Sequence, residues 1–332
     1  MTSRDLVPHT GAGFHLPVAH MRNVFQPDDV ERKLAKLPER DYEALRTTYL
    51  RMLERGPERF QVKPYGVPQM GDLYAQLPNF TEVLDDVKRH VALSHDCRDG
   101  LEMTPILLLG DPGIGKTHFA KKLADLLGTG MSLVPMSSMT AGWLLSGSSS
   151  QWKGAKPGKV FEALVDGQYA NPVIVVDEID KAACDAQYDP LGALYSLLEH
   201  DTAGTFTDEF AEVAIDASQV IWITTANDAR GIPDPILNRM NVFEIAAPAP
   251  EQARLIASNL YQSIRNDHDW GRHFGAEPHS DVLDALADLA PRDMRRALMT
   301  GFGNARLAGR GEIAVNDLPK AGHGKSKIGF MQ

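Results

Sequence analysis

Eight consecutive residues, Gly110-Asp-Pro-Gly-Ile-Gly-Lys-Thr117, combine the groups needed to hold a chain of phosphates. Three glycines allow a backbone to turn its N–H groups inward around anionic oxygens. Lys116 adds an ammonium long enough to reach β and γ phosphates, and Thr117 a hydroxyl suited to Mg²⁺. Apolar residues 106–109 precede this run and a helical pattern over 118–127 follows it. The spacing predicts a strand, a glycine-rich turn and a helix start, with phosphates at the helix N-terminus. Gly110, Asp111, Pro112, Gly113, Ile114, Gly115, Lys116, Thr117 and His118 are therefore the candidates for binding a nucleoside triphosphate such as ATP.

A phosphate loop alone does not separate a small-molecule kinase from a GTPase or a motor. The run Val173-Ile-Val-Val-Asp177-Glu178 narrows the choice, because it reads as a buried strand ending in two acids. Asp177 at the tip suits Mg²⁺, directly or through water, and Glu178 can orient and deprotonate an attacking water. A further strand, 220–225, runs into Ala226-Asn227, whose amide can position the same water from the γ-phosphate side. Arg239 and the group Arg292, Arg295 and Arg296 supply guanidinium forks that match phosphate oxygens. Phosphoryl transfer is catalysed mainly by positioning and charge stabilisation, which is work these side chains can do.

The 332 residues, 43% of them apolar, are enough for two or three packed units. Apolar runs are of strand length, so no membrane span is expected, and the first twenty residues lack the apolar centre of a signal peptide. Two cysteines, Cys97 and Cys184, outside any CxxC pair, fit reduced thiols in the cytoplasm. The histidines are scattered without metal-ligand spacing. A net charge of −10 disfavours bulk binding to nucleic acid.

Along the chain, residues 1–75 hold a polar start, a charged helical stretch over 28–55 and a Pro/Gly-rich loop over 56–71. Over 76–247 strands alternate with helices, the pattern of a parallel sheet covered on both faces. Strands are expected at 106–109, 131–136, 173–177, 220–225 and 242–246, with helices starting near Lys116, Lys159 and Pro190. Residues 248–319 are purely helical, at 251–265, 280–290 and 291–307, and 320–332 form a basic tail.

Together these motifs resemble the AAA+ ATPases and, among them, the ATPase module of Lon protease, over roughly 77–307. The specific stretches are 110–117, Gln151-Trp-Lys-Gly-Ala-Lys-Pro-Gly158, 173–181, 189–199, 206–210, Thr224-Thr-Ala-Asn227 and 235–242. The resemblance implies an α/β fold, a parallel αβα sandwich of the P-loop NTPase type. It adds a C-terminal helical lid and a short helical N-terminal extension. It implies a ring, of six copies of this chain, that hydrolyses ATP with Mg²⁺ held by Thr117 and Asp177. Asn227 becomes sensor 1, and Arg239 the arginine finger presented to the neighbouring subunit. Arg292 matches sensor 2, with Arg295 or Arg296 as competitors. Trp152, with Lys153 beside it, matches the pore loop that grips unfolded polypeptide. Asn238 stands where Lon proteins usually carry Asp, and the chain ends soon after the expected lid, so no protease activity of its own is expected.

Several readings stay open at this level. Trp152 is either a buried anchor of its Gly/Ser-rich loop or an exposed grip. Residues 206–210 are a second pore loop or a hairpin packed by Phe206 and Phe210. The output of hydrolysis is protein remodelling or, alternatively, nucleic-acid loading or slow nucleotide-gated assembly. The terminal Ile328-Gly-Phe330 is a solvated remnant or a docking segment, similar to the Ile-Gly-Phe loop of ClpX-type unfoldases.

Overall fold

A computed structural model describes residues 18–38, 42–68, 70–138, 143–152, 154–182 and 189–319. Lys153, Cys184 and the 320–332 tail with its Ile-Gly-Phe tripeptide lie outside the described residues.

The first unit is β1 (Val18–Asn23), α1 (Pro27–Lys36), α2 (Glu43–Arg55) and β2 (Glu58–Lys63). The two strands pair antiparallel, with Val18 opposite Lys63 and Asn23 opposite Glu58. The expected helical stretch over 28–55 is thus two helices, and a strand lies inside the expected 56–71 loop. Pro38 explains the break, because a residue before proline is pushed out of the helical region and Leu37 caps α1 with ψ 127. Proline at its first turn, Asp28 and Asp29 beside it, and Lys33 and Lys36 at its end complement the dipole of α1. On α2 the helical spacing of Leu45, Tyr49 and Met52 makes one buried face. The Tyr49 hydroxyl donates to the Ala211 carbonyl at 2.8 Å, tying this unit to the rest. β2 continues outward, since Phe60 exchanges backbone hydrogen bonds with Gln168 and Ala170.

The second unit runs through α3 (Gly71–Gln76), α4 (Thr81–Leu93), β3 (Ile106–Leu109), α5 (Lys116–Leu127), β4 (Met131–Pro135), α6 (Trp143–Ser146) and α7 (Lys159–Phe161). It continues with β5 (Val173–Asp177), α8 (Leu194–Leu197), α9 (His200–Ala203), β6 (Phe206–Thr207), β7 (Ala214–Ile215), β8 (Ile221–Ala226), α10 (Asp234–Leu237) and β9 (Asn241–Glu244). The helix expected near Pro190 begins at Leu194, behind a turn capped by the Asp189 carboxylate on Leu191 N–H. Five strands form one parallel sheet in the order β4-β5-β8-β3-β9. Their central residues are apolar on both faces, as a sheet covered on both sides requires. Alternation sends Leu107, Ile174, Val176 and Trp222 into one core. Ile106, Leu108, Val173, Val175, Ile221 and Ile223 enter the other.

The last unit is α11 (Pro250–Asn266), α12 (Ser280–Ala287) and α13 (Pro291–Leu307) around a third core. Tyr261 stacks on Phe302 in its centre, with ring centroids 5.0 Å apart. Polar bonds join it to the sheet unit: Asn259 donates to the Ala75 carbonyl and Gln252 to the Pro78 carbonyl, each at 3.0 Å. Among the described residues no helix is long and apolar enough to cross a membrane.

Candidate functional site

The strand order places the carboxyl ends of β5, β8 and β3 side by side, and each carries one part of the site. That edge is where ligands of parallel α/β sheets bind. The turn after β3 requires glycine. A side chain at Gly110 would collide with the Ile245 carbonyl, and Gly115 takes φ +107 as it opens α5.

Lys116 is nearly buried and folds back over this turn. Its Nζ donates to the Gly110 carbonyl at 2.6 Å, to the Asp111 carbonyl at 3.0 Å and to Asn227 Oδ1 at 3.0 Å. Burial pushes the ammonium below its ordinary range, against the upward pull of Asp180, Asp177, Asp111 and Glu178. The loop lysine and the amide at the tip of β8 are therefore in direct contact. Thr117 Oγ1 donates to Asp177 Oδ1 at 3.0 Å. A hydroxyl and a carboxylate held together are two hard oxygen donors of the kind Mg²⁺ takes, so the residues present fit that ion.

Glu178 occupies the left-handed region with φ +55, a conformation that costs a non-glycine residue about 1 kcal/mol or more. Thr225 holds it there. Its hydroxyl accepts the Glu178 N–H at 2.9 Å and donates to Asp177 Oδ1 at 2.7 Å. Thr225 is a site residue that the sequence reading missed. Its signal was two consecutive threonines in a strand that is otherwise apolar and ends at the site. Thr224 points to the other face and bonds the Ile106 carbonyl.

The arginines are placed differently. Arg292 opens α13 against the phosphate loop: its backbone N–H donates to the Gly113 carbonyl at 3.4 Å. A side chain built on Gly113 would meet the Arg292 Cβ at 3.6 Å. Arg296 is 80% exposed and pairs with Asp293. Arg295 faces α5, and it is among the charges acting on His118. Partial burial first, then Lys122, Lys121 and Arg295, push the His118 ring below the usual imidazole range. Arg239 lies away from the phosphate loop of its own chain. Its Nε pairs with Glu199 Oε1 at 2.7 Å, it donates to the Pro235 carbonyl, and its cation sits 6.0 Å from the Tyr195 ring centroid.

Trp152 is 48% exposed and meets Trp143 edge to face, with centroids 5.4 Å apart. It is not a buried anchor of its loop. The loop is closed at its base by Ser148, whose N–H donates to the Lys156 carbonyl and whose hydroxyl accepts the Lys156 N–H, and is tied down by Asp208. The fully buried Asp208 carboxylate accepts the N–H groups of Gly158 at 2.8 Å, Phe210 at 3.0 Å and Ala211 at 2.9 Å. Burial raises it to about 6 in spite of those donors. Phe206 and Phe210 are buried, and β6 pairs with β7, so residues 206–210 are the packed hairpin.

A sequence profile of the AAA family, the "ATPase family associated with various cellular activities", matches residues 106–247. Lon protease 2 of Hydrogenovibrio crunogenus is 35% identical over 188 residues, 55% of this chain and 21% of that protein. The mitochondrial Lon protease homolog of Yarrowia lipolytica is 31% identical over 225 residues, 67% of this chain and 19% of that protein. The chain therefore spans about a fifth of the length of these relatives. Among solved structures, Hsp104 of S. cerevisiae in an extended complex with casein superposes with a TM-score of 0.59. That match covers 73% of this chain and 48% of the other at 18% identity, a likeness of fold. Residues 106–247 therefore carry an AAA ATPase domain, and the chain resembles the ATPase module of Lon protease.

Proposed function

We propose that this chain hydrolyses ATP in a ring of identical subunits, six by analogy, and uses the cycle to unfold or remodel protein. The observation that carries the reading is the pair of hydrogen-bonded sets side by side at the sheet edge. Lys116 reaches Asn227, Thr117 reaches Asp177, and Thr225 ties Asp177 to the Glu178 backbone. In this scheme Lys116 and Arg292 bind phosphate oxygens. Glu178 takes the proton of the attacking water while Asn227 orients it. Mg²⁺, held by Thr117 and Asp177, would neutralise phosphate charge. In this scheme Arg239 serves another subunit's nucleotide, a reading supported by its pairing with Glu199 in its own chain, which would hold the guanidinium until then.

Residues 248–319 act as the lid and 76–247 as the nucleotide-binding core, with 1–75 as an extension and 320–332 as a tail. Trp152, with Lys153, grips the substrate polypeptide. Two cysteines outside any CxxC pair suit a reduced cytoplasmic setting. The test is which polymer accelerates Mg²⁺-dependent ATP hydrolysis. Denatured protein should do so and single-stranded DNA should not. Stimulation by DNA alone would replace this reading with a nucleic-acid motor. No stimulation by either would leave a nucleotide-gated scaffold.

A further inference from the structure

Trp143 has no part in the scheme above, and its position is unusual for an indole. It sits on the short α6, is 40% exposed, and meets the exposed Trp152 edge to face at an interplanar angle of 83°. Two large rings facing solvent together form an apolar patch of the kind that marks a binding surface. The pair borders a groove of about 600 Å³, and Asp189, Glu209, Ser146 and Thr207 contribute to its other walls. That size falls within the range of ordinary ligand clefts. Glu209 is fixed there, since Ser146 donates to its carboxylate at 2.9 Å and accepts its backbone N–H at 2.6 Å. No Lys or Arg lines the groove among the described residues, although Lys153 and Lys156 belong in sequence to the loop that carries Trp152.

We propose that Trp143 and Trp152 form a two-indole clamp over an acidic groove, selecting unfolded segments in which Lys or Arg neighbours an apolar side chain. The inference rests on the protein-remodelling reading and names its substrate class. Two features converge on a cation. The faces of tryptophan attract a guanidinium or ammonium, and Asp189 and Glu209 offer it carboxylates in the same groove. An acidic segment would meet those carboxylates with like charge and gain nothing from the rings beyond apolar contact. Two indoles at a fixed angle also contact a side chain on two sides, which a single exposed ring cannot do.

The test uses the full chain and two unstructured peptides of equal length and equal aromatic content, one carrying Lys and Arg, the other Asp and Glu. Binding is read by fluorescence anisotropy at low salt, and stimulation of ATP hydrolysis is read in parallel. The basic peptide should bind about tenfold more tightly, the sum expected from a cation–π contact and two exposed ion pairs. High salt should narrow that gap. Replacing both acids (Asp189→Asn with Glu209→Gln) should abolish most of the preference. Trp143→Ala should weaken the basic peptide about fivefold, with partial recovery in Trp143→Phe, and melting temperatures report whether each variant folds. Equal binding of the two peptides by the unaltered protein would overturn the inference and leave remodelling standing. So would an unchanged preference in the double acid variant. Failure of both peptides and of denatured casein to stimulate hydrolysis would overturn the remodelling reading together with the clamp.

Discussion

At the carboxyl edge of the sheet, Thr117, Asp177, Thr225 and the Glu178 backbone are joined by bonds of 2.7 to 3.0 Å between partly buried groups. At the Trp143–Trp152 face the chemistry is two half-open rings leaning on each other, on a four-residue helix and a loop tied down at its base. The first arrangement fixes atoms to within a hydrogen bond. The second fixes a surface and leaves its contacts to be made. That difference suits the two tasks. Phosphoryl transfer fails when a group is misplaced by an ångström, whereas a grip on changing polypeptide must tolerate many side chains. Substitutions at the sheet edge should therefore act steeply on turnover, and those at the rings gradually on affinity.

The steepest case is Glu178→Gln. The ligands for phosphate remain while the water loses its base, so hydrolysis should fall on the order of 10³- to 10⁴-fold with ATP still bound. Nucleotide retention on a filter and single-turnover hydrolysis check both halves. Near-normal turnover would mean that the sheet edge is not the precise region proposed here.

Next in size is Arg239→Ala, with a loss on the order of 10³-fold if the guanidinium acts on a neighbour's nucleotide. Binding of ATP to a single subunit should persist, because Arg239 contacts Glu199 and Pro235 and not its own phosphate loop. Mixed rings of Arg239→Ala and Lys116→Ala protein should regain part of the activity, each supplying the half-site that the other lacks. Mixed rings that stay inactive would remove the trans role.

Glu178 could be singled out in the sequence because it sits in a short local pattern, whereas the role expected of Arg239 came from the family resemblance. The phosphate loop and the acid-ended strand need no partner to be recognised, and apolar runs announce β3 and β5 directly. What stayed hidden depends on remote pairing. β1 meets β2 across some forty residues, and β2 is a six-residue strand flanked by Pro57 and Pro64. Gly158 meets the Asp208 carboxylate fifty residues away. Thr225 reads as an ordinary strand residue until the sheet order sets it beside β5. The Arg292, Arg295 and Arg296 group was ambiguous for another reason. Helical periodicity sets them around α13, all three exposed, and only the packing of its first turn on Gly113 sets Arg292 beside the phosphate loop.

Thr225→Val sharpens the comparison at smaller scale. It keeps volume and removes the hydroxyl that bridges Asp177 and the Glu178 N–H. Positioning groups of this kind typically contribute 10- to 100-fold, so kcat should fall by roughly that factor with little change in KM for ATP. Thr225→Ser should recover most of it. A Val variant with unaltered kcat would show that the left-handed Glu178 is held by its surroundings without the hydroxyl.

The smallest effect on hydrolysis is expected at Asp208, which joins the ring-bearing loop to the packed hairpin and touches no phosphate ligand. Its carboxyl is raised to about 6 in the folded chain, with burial outweighing three N–H donors, against an unfolded value of 3.8. Between those two values the native state holds a proton that the unfolded state has lost. This group's contribution is therefore greatest in acid and declines as pH rises from about 4 through about 6, by at most ~3 kcal/mol. In Asp208→Asn that decline should vanish from the pH profile of the melting temperature. Asparagine offers one carbonyl where the carboxylate had two oxygens, so the amide at Gly158 loses its acceptor and the 147–158 loop should exchange its amide hydrogens faster. Hydrolysis without polypeptide should keep its pH profile, since the phosphate loop is anchored by β3 and α5. Matching pH profiles of melting in the two proteins would show that Asp208 is charged in both states, and that burial is fully compensated by its donors.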